Sequence, residues 1–78
     1  MMNYPETLQF IGRCLTLKYQ PERIFELRKQ IIDGNVDWEQ VVFLSSNHLI
    51  LHALYIQLKN SGLVNLLPVD LKEYLEFL

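Results

Sequence analysis

Apolar side chains recur every three to four residues from one end of the chain to the other, which is the period of an α-helix. The two-residue alternation of a half-buried strand and the dipeptides typical of hairpin turns do not occur. The pattern predicts five helices, over about residues 5–17, 21–33, 37–47, 48–60 and 68–78. The predicted fold class is therefore all-α, a compact bundle of about five short helices.

Several helix boundaries carry their own residue signals. Asn3 with Glu6, and Asp37 with Gln40, have the spacing of capping boxes, in which each side chain bonds a free backbone N–H of the first turn. Proline suits a first helical turn, and glycine suits the residue after a helix end. These residues mark the remaining boundaries, with Pro5, Pro21 and Pro68 at starts and Gly34 and Gly62 at ends.

The predicted fourth helix is apolar almost all round, which is typical of a central, buried helix. The linker at residues 63–67 is also apolar, so we expect it to pack onto the bundle. Trp38 begins an inward-facing stripe with Val41 and Val42, and this position favours a core residue over a partner anchor.

The fifth helix carries the candidate docking face. Four apolar residues fall at positions i, i+3, i+4 and i+7, and they are Leu71, Tyr74, Leu75 and Leu78. The chain stops there with no residue that would close the helix. We therefore expect residues 1–78 to form a single helical domain that is the N-terminal part of a longer protein.

Composition narrows the classes of function. A chain of 78 residues, half of them apolar, has too small an interior to cover all its apolar surface, which favours docking or self-association. The net charge of −2 is spread without a basic stripe, so we expect no nucleic-acid partner. The longest apolar run is about half the roughly 20 residues of a membrane span, so we expect no membrane partner either. A lone Cys14 and the lack of a signal peptide favour a cytoplasmic location.

No set of reactive residues is complete. His48 and His52 stand four residues apart, a spacing that can hold a metal ion, but Leu49 occupies the position where a zincin has glutamate, and a third ligand is not evident. Cys14 lies in an apolar stretch with no base nearby in sequence, which is typical of a small core residue. The sequence therefore predicts no catalytic, cofactor-binding or metal-binding residue in this chain.

A series of residues does point to a family. It resembles the N-terminal helical region of the uncharacterised bacterial nucleotidyltransferase-like family, which places a Trp-started helix, a His near a helix junction, a Leu-Tyr pair and a Gly…Leu-Pro step ahead of its catalytic domain. The resemblance covers roughly Pro21 to Leu78. The residues that carry it are Asp37-Trp38, Leu44, His48, Leu54-Tyr55, Leu58, Gly62, Leu67-Pro68 and Leu71.

The resemblance implies a downstream domain of the polymerase-β type, where two acidic residues in a D-x-D arrangement hold Mg²⁺ beside a nucleotide. Neither a D-x-D pair nor a Gly-Ser turn occurs in this chain, so Mg²⁺ and nucleotide are expected only in that other domain. The chain itself is then a non-catalytic helical module that packs against it. The alternative is a stand-alone interaction module, which dimerises or docks a partner through residues 71–78 and the first helix.

Overall fold

The computed structural model describes residues 3–78, and within them the regular elements are helical, so the prediction of an all-α bundle is confirmed. Two short 3₁₀ turns, Pro21–Arg23 and Leu63–Leu66, accompany the α-helices. The five α-helices are α1 (Tyr4–Leu15), α2 (Ile24–Ile32), α3 (Trp38–Asn47), α4 (Leu51–Ser61) and α5 (Val69–Glu76).

The two predicted capping residues begin their helices as expected. The Asn3 side chain accepts a hydrogen bond from the Glu6 backbone N–H at 2.9 Å, and Asp37 accepts one from the Gln40 N–H at 3.2 Å. Each bond satisfies a backbone donor that has no partner within the helix. These local bonds fix where α1 and α3 start.

The core lies where α1 crosses α3 and α4. Leu27 and Leu58 are fully buried, and Leu54 is 1% exposed. The second 3₁₀ turn packs against α2 and α4 and buries Leu63 and Val64, so the expected packing of the apolar linker is confirmed. α5 is anchored more lightly, through Leu75 in the core and a 3.3 Å bond from Lys72 Nζ to the Asn65 side chain.

Polar side chains also meet inside the bundle. The buried Thr7 hydroxyl of α1 lies 2.9 Å from the Asn3 carbonyl oxygen and contacts the side-chain amide of Gln40 on α3. Ser45, on the inner side of α3, is buried as well, and its hydroxyl finds no hydrogen-bond partner among residues 3–78. The Thr7–Gln40 contact therefore ties α1 to α3 by a specific bond, and Ser45 makes no such bond among the described residues.

Two sequence predictions about α4 are wrong. It begins at Leu51 rather than at His48, because the chain makes a tight turn after α3. It is also not buried all round, since only Leu51, Leu54 and Leu58 lie in the core while Ile56 stays 39% exposed. A bundle this small does not have enough neighbouring helices to surround one of its members.

The turns after α2 and α3 have the same pattern of backbone hydrogen bonds. In each, the third residue after the helix end donates to a carbonyl five residues back: Asn35 N to Gln30 O at 3.0 Å, and Ile50 N to Ser45 O at 2.8 Å. This arrangement is the Schellman motif, and it requires a left-handed residue just before that donor. Gly34 fills the position after α2 with φ of 75°, but Leu49 fills it after α3 with φ of 58°.

Replacing Leu49 by glycine is expected to raise the free energy of unfolding by about 0.5–1 kcal/mol. A leucine in the left-handed region suffers a clash of its Cβ with the backbone, which glycine avoids, and part of that gain is offset by the greater freedom of glycine in the unfolded chain. The Leu49 side chain is 92% exposed, so almost no packing is lost. Urea unfolding of Leu49→Gly against the wild type measures the difference.

Gly34→Ala is the matched control for this substitution. It introduces a Cβ at the equivalent turn position, where no heavy atom lies within 4 Å to clash with it, so backbone strain is the main effect. We expect a loss of about 1 kcal/mol for Gly34→Ala. A loss of stability in Leu49→Gly would contradict the assignment of strain to Leu49.

Candidate docking surfaces

The two histidines do not share a helix. His48 is the capping residue just after α3, and His52 lies in the first turn of α4, with left-handed Leu49 between them. Both side chains are exposed. Within residues 3–78, no group of three or more His, Cys, Asp or Glu side chains is arranged to hold a metal ion. The four-residue spacing in the sequence therefore does not place the rings as neighbours on one helix face.

Cys14 is a core residue, as its apolar surroundings in the sequence predicted. Its side chain is fully buried in α1, and burial raises the pKa of the thiol from 9.0 to about 12. Because only the thiolate is a strong nucleophile, a thiol in this setting is inert at neutral pH. Cys14 contributes packing to the fold rather than reactivity.

A polar cleft of about 620 Å³ opens between the starts of α1 and α3. Its carboxylates are those of Glu6, Asp37 and Glu39. Asp37 caps α3, and Glu6 and Glu39 lie in first turns, where a negative charge stabilises the helix dipole. Helix capping and dipole stabilisation account for these acids.

The four residues of the predicted docking face differ in their exposure to solvent. Leu75 is 3% exposed and lies in the core, and Leu71 is partly buried and packs against the core. Tyr74 and Leu78 remain exposed, at 51% and 52%, and Phe77 joins them at 90%. The prediction of one continuous face is thus corrected to a smaller set, the C-terminal patch of Tyr74, Phe77 and Leu78. The helical period could not tell which of these apolar residues the core covers.

A second apolar surface, which sequence reasoning missed, is a groove of about 680 Å³ between α3 and the start of α5. Trp38 lines it from α3, partly buried and packed edge-on against Phe10 with ring centroids 5.7 Å apart. Val42, Phe43 and Leu71 add apolar lining. We call this surface the α3–α5 groove.

The α3–α5 groove is acidic as well as apolar. Glu39 lines it from α3 and Asp70 from the first turn of α5, so each wall contributes one carboxylate. Both side chains are exposed. An apolar groove between two carboxylates favours an apolar ligand that carries positive charge on its flanks.

A third surface lies on the outer side of α2. Phe25 is 76% exposed and Ile32 is 62% exposed, while Leu27 and Ile31 of the same helix are buried. Arg28 and Lys29 are exposed between the two apolar residues. We call these four residues the α2 ridge. The sequence signal was the excess of apolar residues in this helix over what one buried side requires.

Comparisons with protein-family models, with curated proteins and with solved structures find no match to this chain. Of the helices in residues 3–78, none combines the length and the apolar character that crossing a membrane requires.

Proposed function

We propose that this chain is a helical docking module, without catalytic chemistry of its own, that packs its C-terminal patch against another protein domain. The observation that carries the proposal is the 90% exposure of Phe77 beside two half-exposed apolar residues, Tyr74 and Leu78. Clustered apolar surface of this kind usually marks an interaction site, and aromatic residues dominate the binding energy of such sites.

The C-terminal patch is presented on an ordered backbone. The Phe77 N–H donates to the Tyr74 carbonyl at 3.2 Å, and the Leu78 N–H donates to the Leu75 carbonyl at 3.3 Å. Leu75 itself is held in the core. A surface whose backbone is already fixed in this way loses little conformational entropy when a partner binds, and this favours its use as a docking surface.

The residue series in and around α3 and α4 leads us to propose a nucleotidyltransferase-like catalytic domain as the partner. Asp37-Trp38, His48, Leu54-Tyr55 and Leu67-Pro68 are the most distinctive elements of that series. On this proposal Mg²⁺ and nucleotide bind in the partner domain, and the helical module supports or shapes its substrate cleft. A reading frame that continues past Leu78 into a Gly-Ser turn followed by D-x-D supports this partner, and a frame that lacks them argues against it.

Phe77→Glu is expected to weaken binding to that domain by at least about 30-fold, the effect of removing an aromatic hot spot and facing the partner with a charge. The domain is expressed separately and titrated against the 78-residue chain by calorimetry. The exposed position of Phe77 keeps the substitution compatible with folding, which circular dichroism verifies.

Phe25→Glu is the matched control, because it makes the same change at a phenylalanine of similar exposure on a different helix. It should leave the affinity for the catalytic domain within about twofold of the wild type. Equal affinity of Phe77→Glu and wild type would remove the C-terminal patch from the proposal.

A further inference from the structure

We propose that the C-terminal patch binds arginine side chains of the domain it packs against, a partner chemistry that rests on the proposed function and extends it. Each exposed ring of the patch has an exposed carboxylate one helical turn before it in the chain. A ring and a carboxylate placed side by side both attract a cation.

The two pairs follow from the spacing of residues in α5. Asp70 precedes Tyr74 by four residues, and Glu73 precedes Phe77 by four. Residues at this spacing are neighbours on a helix surface, with their Cβ atoms about 5–6 Å apart. Phe77 directly follows α5, and its N–H still donates to the Tyr74 carbonyl, so the last turn continues to it. All four side chains are exposed.

Both members of such a pair favour a basic side chain. The face of an aromatic ring carries partial negative charge and attracts an ammonium or guanidinium group within about 6 Å of its centre. The carboxylate adds a full charge and two acceptor oxygens, which the planar guanidinium matches. The methylene groups of arginine also cover apolar surface, which Leu78 offers at 52% exposure. Arginine therefore uses the ring, the carboxylate and the apolar surface together.

The surroundings of these pairs do not neutralise them. Among residues 3–78, neither Asp70 nor Glu73 forms an ion pair. The second 3₁₀ turn, next to α5, has no charged residue, and α3, across the α3–α5 groove, has only Glu39. The negative charge of the outer side of α5 is thus left for a partner to complement.

Lys72 is the one cation of α5, and it lies to one side of the pairs. It is two residues from Asp70 and from Tyr74, and residues at that spacing do not face each other on a helix. Its neighbour by spacing is Glu76, whose charge it offsets in part. Its Nζ donates to the Asn65 side chain at 3.3 Å, which links α5 to the second 3₁₀ turn.

Two synthetic peptides test the proposed partner chemistry. One is an amphipathic peptide of about 15 residues, long enough to form a helix, with leucine on one side and arginine beside it. The other has glutamate in place of every arginine. In an NMR titration of the isotopically labelled chain, the arginine peptide should bind with a Kd below about 1 mM. It should shift the amide signals of residues 70–78 most, and the glutamate peptide should not bind.

Neutral variants show whether the carboxylates are responsible. Asp70→Asn combined with Glu73→Gln should weaken binding of the arginine peptide by about fivefold at low salt, because two exposed charge contacts are lost. The matched control is Glu22→Gln combined with Glu26→Gln, which neutralises two exposed carboxylates four residues apart at the start of α2. It should leave the Kd within about twofold of the wild type.

The sign of the charge is tested at Phe77 itself. Phe77→Arg and Phe77→Glu both remove the ring, but only Phe77→Arg repels a basic partner. Phe77→Arg should therefore bind the arginine peptide more weakly than Phe77→Glu does, and added salt should reduce the difference.

Four outcomes would overturn the proposed chemistry. They are an arginine peptide that does not bind at about 1 mM, equal binding of the glutamate peptide, shifts centred outside residues 70–78, and wild-type affinity in the neutral double variant. The docking function is measured separately, with the catalytic domain and Phe77→Glu. A domain that binds the chain through Phe77 while the arginine peptide fails would keep the docking function and exclude a basic partner surface.

Discussion

Replacing Phe10 by alanine is expected to lower the free energy of unfolding by about 3–5 kcal/mol. The side chain is 1% exposed, and its ring meets Trp38 in a T-shaped arrangement with an interplanar angle of 84°. It therefore joins α1 to α3 at the centre of the bundle. A domain of this size is stable by only about 4–12 kcal/mol, so the substitution removes a large share of the total.

Phe25→Ala is the matched control for this prediction. The same deletion at a phenylalanine that is 76% exposed should change stability by no more than about 0.5 kcal/mol. Urea unfolding followed by circular dichroism gives both values. A cost below about 1 kcal/mol for Phe10→Ala would show that the aromatic contact between α1 and α3 is not part of the stable core.

The free energy that the contact between the Phe10 and Trp38 rings contributes can be measured separately from the free energy of burying Phe10. Trp38→Ala should cost less than its size suggests, because Trp38 is only partly buried at the edge of the α3–α5 groove. In a double-mutant cycle, Phe10→Ala and Trp38→Ala should couple by about 0.5–1.5 kcal/mol, the usual value for an aromatic pair. The sequence predicted an inward-facing Trp38. In the structure Trp38 packs against the core and also lines the α3–α5 groove.

Local signals in the sequence predicted local features well. Asn3 and Asp37 begin their helices as predicted, because capping depends on residues three positions apart in the chain. The sequence also predicted the end of α3 at Asn47, but the left-handed residue that follows it and the start of α4 at Leu51 were missed for the corresponding reason. Glycine is the usual signal for a left-handed residue, and Leu49 takes that conformation without it.

Two of the candidate surfaces, the C-terminal patch and the α3–α5 groove, could be identified only from the tertiary structure. The helical period places Leu71, Tyr74, Leu75 and Leu78 on one side of the predicted fifth helix, but the position of α5 on the bundle decides which of them the core covers. The α3–α5 groove joins residues about thirty positions apart in the chain, and the sequence gives no direct signal for that pairing. The α2 ridge was within reach of the sequence, since α2 has more apolar residues than a single buried face uses.

Cys14 should react with a thiol reagent at least about 1000-fold more slowly in the folded chain than in urea. Burial raises its pKa from 9.0 to about 12, and three pKa units reduce the thiolate fraction near pH 8 by that factor. The rate of modification by a chromogenic disulfide, with and without denaturant, measures the protection. The control is Cys14→Ala combined with Ser46→Cys, which moves the thiol to an exposed position on α3. A native rate for Cys14 that equals the control rate would contradict its place in the core.

The same pKa shift predicts how stability depends on pH. Well below pH 9 the thiol is neutral in both the folded and the unfolded chain, so it adds no pH dependence there. Between pH 9 and about pH 12 the unfolded chain loses the proton while the folded chain keeps it, so stability falls as pH rises, by up to about 1.4 kcal/mol per pH unit. Cys14→Ala removes this term and leaves the tyrosines and lysines in place, so the stability difference between wild type and variant should shrink from pH 8 to pH 10. A difference that stays constant over that range would show that the folded chain ionises Cys14 as readily as the unfolded chain does.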